Sequence, residues 1–227
     1  MKKVLAIRHV KIEHLGMLAP LLEEKGFKID YLDTPKGEVL NDQLDRYDFV
    51  VVLGGYMGVY EADKYPFLAY EFKLIEEALK KEIPILGICL GAQMLAKVLG
   101  AKVYKGDKGQ EIGWFKIVKT GEHPYFKYFP PKLTVFEWHG DTFDLPQGAV
   151  RIYSSERYKN QAFVYKKAVG LQFHIEVDKK MVKSWVDAYQ EDLFKEGLNP
   201  ENLLEIDKEH IEILSSLSHL FLTNFLG

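Results

Sequence analysis

Through the first half of the chain, continuous apolar runs alternate with segments whose apolar positions recur every three or four residues. Residues 3–10 form a short apolar run that fits a buried strand. Residues 15–25 carry Leu15, Leu18, Leu21 and Leu22 at helical spacing, and Gly26 is a suitable stop. Residues 28–32 read as a second strand. Residues 48–53, DFVVVL, are apolar after the first position and end on Gly54-Gly55, the pattern of a parallel strand buried on both faces. Residues 66–81 are amphipathic, with Pro66 suited to a first helical turn. Residues 83–88 form another buried strand, which leads directly into a helix over 90–99 that ends at Gly100. Such alternation predicts an α/β protein with a mostly parallel sheet and helices on both faces.

The second half is richer in strand patterns, over 102–105, 112–119, 133–138, 150–154, 162–166 and 168–173. Several lie close enough in sequence to be hairpins, which predicts an antiparallel extension of the sheet. A helix is expected over 179–195, a break at Leu198-Asn199-Pro200 and a last helix over 207–225. Residues 1–197 are therefore read as the main domain, and 198–227 as a C-terminal helical extension packed on it or on a partner. Ile206, Ile213, Leu214, Leu217, Leu220, Phe221 and Phe225 give the last helix a wide apolar stripe. That stripe fits either the chain's own core or an interface, such as that of a homodimer.

Composition narrows the choices. Hydrophobic residues at 47% and charged residues at 28% suit a globular protein with a sizeable core. A net charge of −3 gives no basic excess to recruit nucleic acid. No run approaches the roughly 18 apolar residues of a membrane span. The apolar N-terminal run is interrupted by Arg8 and His9 too early for a signal peptide. The single cysteine rules out an internal disulfide and a Cys-rich metal site. A cytoplasmic protein is the expectation.

That cysteine stands in Pro84-Ile-Leu-Gly-Ile-Cys-Leu-Gly-Ala-Gln93, a strand, a tight turn and a helix. Gly87 and Gly91 flank Cys89 at minus two and plus two, the spacing of a nucleophile elbow with Cys in place of Ser. Small neighbours suit a strained nucleophile backbone, and a helix N-terminus favours the thiolate. An isolated cysteine in an apolar strand is more often a core residue; the glycine frame argues for a nucleophile. Such a nucleophile needs a base, and the base an orienting group. His174 and Glu176, two residues apart at the end of an apolar strand, supply both types. Gly54-Gly55 can approach a ligand closely because neither residue has a Cβ. The Gly55 amide and that of Leu90, next after the cysteine, are the natural oxyanion donors.

These blocks together, with Trp138-His-Gly-Asp141 and Gly170-Leu-Gln-Phe-His-Ile-Glu-Val177, resemble the class I (triad) glutamine amidotransferases. The closest resemblance is to stand-alone proteins similar to the amidotransferase domain of GMP synthase, and it covers most of residues 1–177 in order. The resemblance implies a flavodoxin-like three-layer sandwich, with Cys89 as nucleophile, His174 as base and Glu176 as orienter. It also implies that Gly54, Gln93 and the His139-Gly140-Asp141 turn help bind glutamine, the turn through its backbone. The activity it implies is release of ammonia from the glutamine side chain through a γ-glutamyl thioester, without metal or organic cofactor. Two departures stand out. Ile175 replaces the family's usual Pro in His-Pro-Glu, and Tyr56-Met57-Gly58 follows Gly-Gly where a Pro is usual. Tyr56, Tyr60 and Glu61 either shape a pocket mouth or only cover the surface. Three functions fit the sequence. They are a self-sufficient γ-glutamyl hydrolase or peptidase, a non-catalytic flavodoxin-like binding module, and a glutaminase feeding a separate synthetase subunit.

Overall fold

A strand that is apolar on both faces needs cover on both, and the chain supplies it with helices. The computed structural model describes residues 1–41, 43–205 and 208–227. The first elements are β1 (Lys2–Ile7), α1 (Leu18–Glu24), β2 (Phe27–Leu32), β3 (Phe49–Val52), α2 (Phe67–Lys80), β4 (Ile85–Ile88) and α3 (Leu90–Val98). Then come β5 (Val103–Lys105), β6 (Glu111–Lys119), β7 (Lys132–His139), β8 (Asp141–Phe143), β9 (Val150–Ser155), β10 (Ala162–Tyr165) and β11 (Ala168–Leu171). The chain ends with α4 (Lys179–Ala188), α5 (Gln190–Lys195), α6 (Pro200–Leu204) and α7 (Lys208–Leu226).

The main sheet has the order β2-β1-β3-β4-β11-β10-β9-β6-β7. Its first five strands are parallel. The remaining four pair antiparallel, as the hairpin-like second half of the sequence predicts. Alternate side chains on each strand feed two separate cores. Val4, Ala6, Phe49, Val51, Leu86 and Ile88 face one. Leu5, Ile7, Val50, Val52 and Ile85 face the other, under α2 and α3. This is the expected α/β sandwich. Among the described residues no helix is long and apolar enough to cross a membrane.

Several elements differ from the sequence pattern, among them β1, read over 3–10 but ending at Ile7. The first helix begins at Leu18 rather than at 15, because Gly16 turns the chain with φ +47° against the backbone of Glu176. The Met17 amide donates to the Glu176 carbonyl at 2.7 Å. The strand expected to reach 173 stops at Leu171, where its partner β4 turns away; the Cys89 amide makes the last bond, to the Leu171 carbonyl at 2.8 Å. The helix expected over 179–195 breaks at Tyr189 into α4 and α5. The short strand β8, which the pattern did not indicate, pairs with β5 in a small separate sheet.

The last helix lies on the same core as β3 and β7. Leu214, Leu217, Phe221 and Phe225 are buried, while Ile213 is exposed. The Phe225 ring meets Phe49 edge-on at 5.6 Å, and Phe221 stands 5.6 Å from Phe126. The Ser218 hydroxyl reaches the Ile175 carbonyl at 2.7 Å, so α7 supports the segment that carries His174 and Glu176. Ile206 and Asp207, counted into the stripe and the helix start from sequence, lie outside the described residues. Phe221→Ala should destabilise the whole chain by about 3–5 kcal/mol, the usual loss for a buried Phe. Urea unfolding checks this. A change below about 1 kcal/mol would mean that α7 is not part of the common core.

Candidate active site

The C-terminal ends of β3 and β4 and the segment after β11 converge at one edge of the parallel region, where open α/β sheets place their ligand sites. Cys89 stands at the β4–α3 junction with φ +52° and ψ −109°, a conformation that L side chains rarely adopt. The flanking glycines make it achievable. A Cβ on Gly91 would lie 2.0 Å from the Val52 carbonyl oxygen, and one on Gly87 would lie 2.4 Å from that of Gly91. The elbow read from sequence is thus a place where three backbones touch. Cys89 is 6% exposed, and its sulfur lies 3.6 Å from the Trp138 carbonyl.

His174 and Glu176 are both buried, and the His174 Nδ1–H donates to Glu176 Oε1 at 2.6 Å. Trp185 packs edge-on against the imidazole at 4.7 Å. The His174 amide is anchored to the Phe136 carbonyl at 2.8 Å. A Cβ added to Gly54 would touch both His174 Cε1 and Cys89 Cβ, at 3.4 and 3.7 Å, so thiol and imidazole border one spot. Burial works against a charged His174 ring. The Glu176 charge, its hydrogen bond to the ring and the nearby Cys89 sulfur outweigh it and hold the ring well above its ordinary value. His174 Nε2, the ring nitrogen that Glu176 does not engage, has no hydrogen-bond partner among the described residues.

A cavity of about 430 Å³ opens over these groups. Gly55, Gln93 and the His139-Gly140-Asp141 turn border it; Gly54 and Leu90 do not. The amides of Gly55 and Leu90 make no backbone hydrogen bond among the described residues. Gln93 Nε2 lies 3.1 Å from Gln172 Oε1 and 3.3 Å from the Asp141 carbonyl, so its donors are engaged within the protein. The carbonyls of Asp141 and Gly140 are also engaged, by His139 Nδ1 at 2.8 Å and the Gly106 amide at 2.8 Å. Tyr56, Tyr60 and Glu61 form part of the rim, and Glu61 also accepts from the Gly58 amide at 2.7 Å.

Sequence reasoning missed Glu13, Tyr189 and Trp185, which also line the cavity. Glu13 is buried beside Gly54, and burial raises its carboxyl above the ordinary value although Tyr189 donates to it at 2.6 Å. Its position just after a parallel strand was an available signal. Nothing in the periodicity marked Tyr189, which the helix break brings to Glu13.

A second buried cluster stands behind the 139–141 turn. His139 Nε2 lies 3.0 Å from Glu111 and 3.3 Å from Glu137, with the three groups' ligating atoms within 4.8 Å of one another. Burial opposes charge on the His139 ring, but the two carboxylates push it up to about 10. Gln161 and Ser155 donate to Glu111 at 2.7 Å each. His139 and Glu111 form the ion-paired part of this set, while the Glu137 oxygens are buried beside the ring without a hydrogen-bond partner among the described residues.

The family model described as Glutamine amidotransferase class-I matches residues 16–185. The chain belongs to that family, whose general activity is hydrolysis or transfer of the glutamine side-chain amide, on a flavodoxin-like fold. Among individual relatives, the crystal structure of a glutamine amidotransferase from Thermotoga maritima superposes with a TM-score of 0.95. It is 56% identical, over 99% of this chain and 98% of that one. The glutamine amidotransferase-like protein YfeJ of Salmonella typhimurium is 31% identical over 82% of this chain and 80% of its own length. One subunit of the glutamine-hydrolysing GMP synthase of Sulfolobus acidocaldarius is 36% identical over 60% of this chain and 71% of its own length.

The cluster behind the turn gives stability a pH dependence. Burial pushes the Glu137 carboxyl from 4.5 up to about 7, against the pull of His139. The folded chain therefore keeps a proton that the unfolded chain has lost. This contribution is full below about pH 4.5 and disappears as pH rises through about 7, a change of up to about 3 kcal/mol. Urea unfolding of Glu137→Gln should give a flatter stability curve over that window than the wild type. Parallel curves would contradict the assignment.

Proposed function

We propose that the chain hydrolyses the side-chain amide of glutamine with Cys89 as nucleophile, His174 as acid and base, and Glu176 as the group that orients the imidazole. The observation that carries this reading is the 2.6 Å His174–Glu176 bond beside a thiol held at positive φ on a cavity floor. The imidazole beside the sulfur takes the thiol proton, which gives the thiolate and imidazolium that the attack requires. The thiolate attacks the glutamine Cδ. The amides of Gly55 and Leu90 donate to the oxygen as it gains charge. As the C–N bond breaks, nitrogen takes the His174 proton and leaves as ammonia. The neutral ring then removes a proton from water, which attacks the γ-glutamyl thioester. Glutamate leaves, and the thiolate–imidazolium pair is restored.

Gln93 and the His139–Asp141 turn form one wall of the substrate cavity in this scheme, with Gly54 beneath. The likeness to one subunit of a GMP synthase supports delivery of the ammonia to a separate synthetase subunit. Cys89→Ala should abolish glutamate release, measured on glutamine and on a panel of γ-glutamyl compounds. Turnover by that variant at the wild-type rate would refute the mechanism. Glu176→Gln should lower kcat by about 10²-fold or more, the range of a positioned acid–base group. Without the carboxylate charge, His174 loses its proton at lower pH. Ammonia departure then lacks its acid, so the basic limb of the pH–rate profile should move down. An unmoved limb would exclude Glu176 from this role.

A further inference from the structure

A second His–Glu pair lies behind the glycine pair. His9 follows β1, Glu71 sits on the buried face of α2, and Thr34 follows β2. The side chains of His9 and Glu71 are fully buried. A carbonyl can only accept, so the 2.9 Å contact of His9 Nδ1 with the Gly54 oxygen places a proton on Nδ1. His9 Nε2 faces Glu71 Oε2 at 2.8 Å, and the Thr34 hydroxyl donates to the other oxygen of the same carboxylate. Three elements thus converge, through one buried ion pair, on a single backbone carbonyl. A buried pair of this kind is a poor source of net stability.

The peptide bond gives that carbonyl a consequence. The unit joining Gly54 to Gly55 is planar and trans, so the Gly54 C=O and the Gly55 N–H point in opposite directions. Fixing one fixes the other. Packing is tight here: a Cβ on Gly54 would lie 2.5 Å from Glu13 Oε2, and one on Gly55 would lie 3.0 Å from both His9 Cβ and Leu90 Cδ2, so either would push its neighbours aside. A Gly–Gly unit is also the one whose peptide plane rotates with least steric penalty. Gly55 borders the cavity, and its amide has no backbone acceptor among the described residues.

We propose that His9, braced by Glu71 and Thr34, is a positioning residue that locks the Gly54–Gly55 peptide with the Gly55 N–H presented as oxyanion donor. The donor is then set by this chain's own side chains, and hydrolysis proceeds without a partner protein to orient that peptide. The inference rests on the proposed hydrolase reading.

The test uses the full chain alone, with three readouts. These are kcat and KM for glutamate release from glutamine or a γ-glutamyl compound, the rate of Cys89 alkylation by iodoacetamide, and Tm. Alkylation displaces iodide at a saturated carbon and forms no oxyanion, so it reports the thiolate without the donor. The wild type should turn over unaided. His9→Leu combined with Glu71→Leu should lose kcat by up to about 10²–10³-fold, the range for one oxyanion donor, with KM and alkylation changed less than about threefold. His9→Asn, whose side-chain amide can reach the Gly54 oxygen, should retain kcat within about tenfold of wild type. If the double-leucine variant does not fold, Glu71→Gln reads the same device: lower kcat at unchanged alkylation supports it, and unchanged kcat overturns it. A folded double variant with wild-type kcat overturns the inference, as does a wild-type chain with no turnover of its own. Release that depends on Cys89 but not on His9 or Glu71 removes only this inference. Release that persists in Cys89→Ala removes the hydrolase reading beneath it.

Discussion

The contact between the Gly91 α-carbon and the Val52 carbonyl is the constraint on which the rest depends. It lets α3 start directly against β3, in a turn where the chain passes through positive φ at Cys89. Strain of this kind persists only where the surroundings over-determine it. Here the Cys89 amide is fixed to β11, its carbonyl accepts from Ala92 and Gln93, and Gly87 packs against Gly91. The thiol is held at the C-terminal end of β4, at the boundary between the core and the cavity.

Around that point the protein places three buried histidines, each against carboxylate. His174 with Glu176 faces the thiol, His9 with Glu71 faces the glycine pair, and His139 with Glu111 and Glu137 faces the turn of the opposite wall. Each removes charge from water, which costs several kcal/mol per ion before pairing offsets it. The return is orientation. A short, charge-assisted hydrogen bond fixes an imidazole, and the other ring nitrogen then fixes a carbonyl or stays available to the thiol. Rigid donors around a reacting atom act in a site of low dielectric, where they are worth most.

The helices after Val177 belong to the same construction. Trp185 on α4 packs against the His174 ring, and the break after α4 lets Tyr189 meet Glu13. Ser218 on α7 holds the carbonyl between His174 and Glu176. The family match ends at residue 185, yet the side chains that support the proposed base continue to within ten residues of the C-terminus.

The sequence by itself determined what depends on local pattern. Apolar runs marked β1, β3 and β4, because burial on both faces leaves little room for polar residues, and shorter apolar stretches marked most antiparallel strands. The Gly-x-Cys-x-Gly frame marked the elbow, because only glycine permits backbones to approach so closely, and His-x-Glu marked the pair that shares a bond. Tertiary structure alone decided what depends on the order of strands across the sheet. It brought β11 beside β4, and with it His174 beside Cys89, a juxtaposition without trace in local periodicity. It also drew Glu71 from α2 to His9, broke the helix at Tyr189 and closed α7 over Phe49. These contacts join residues far apart along the chain, and which face of an element meets which neighbour is fixed only when the whole sheet closes.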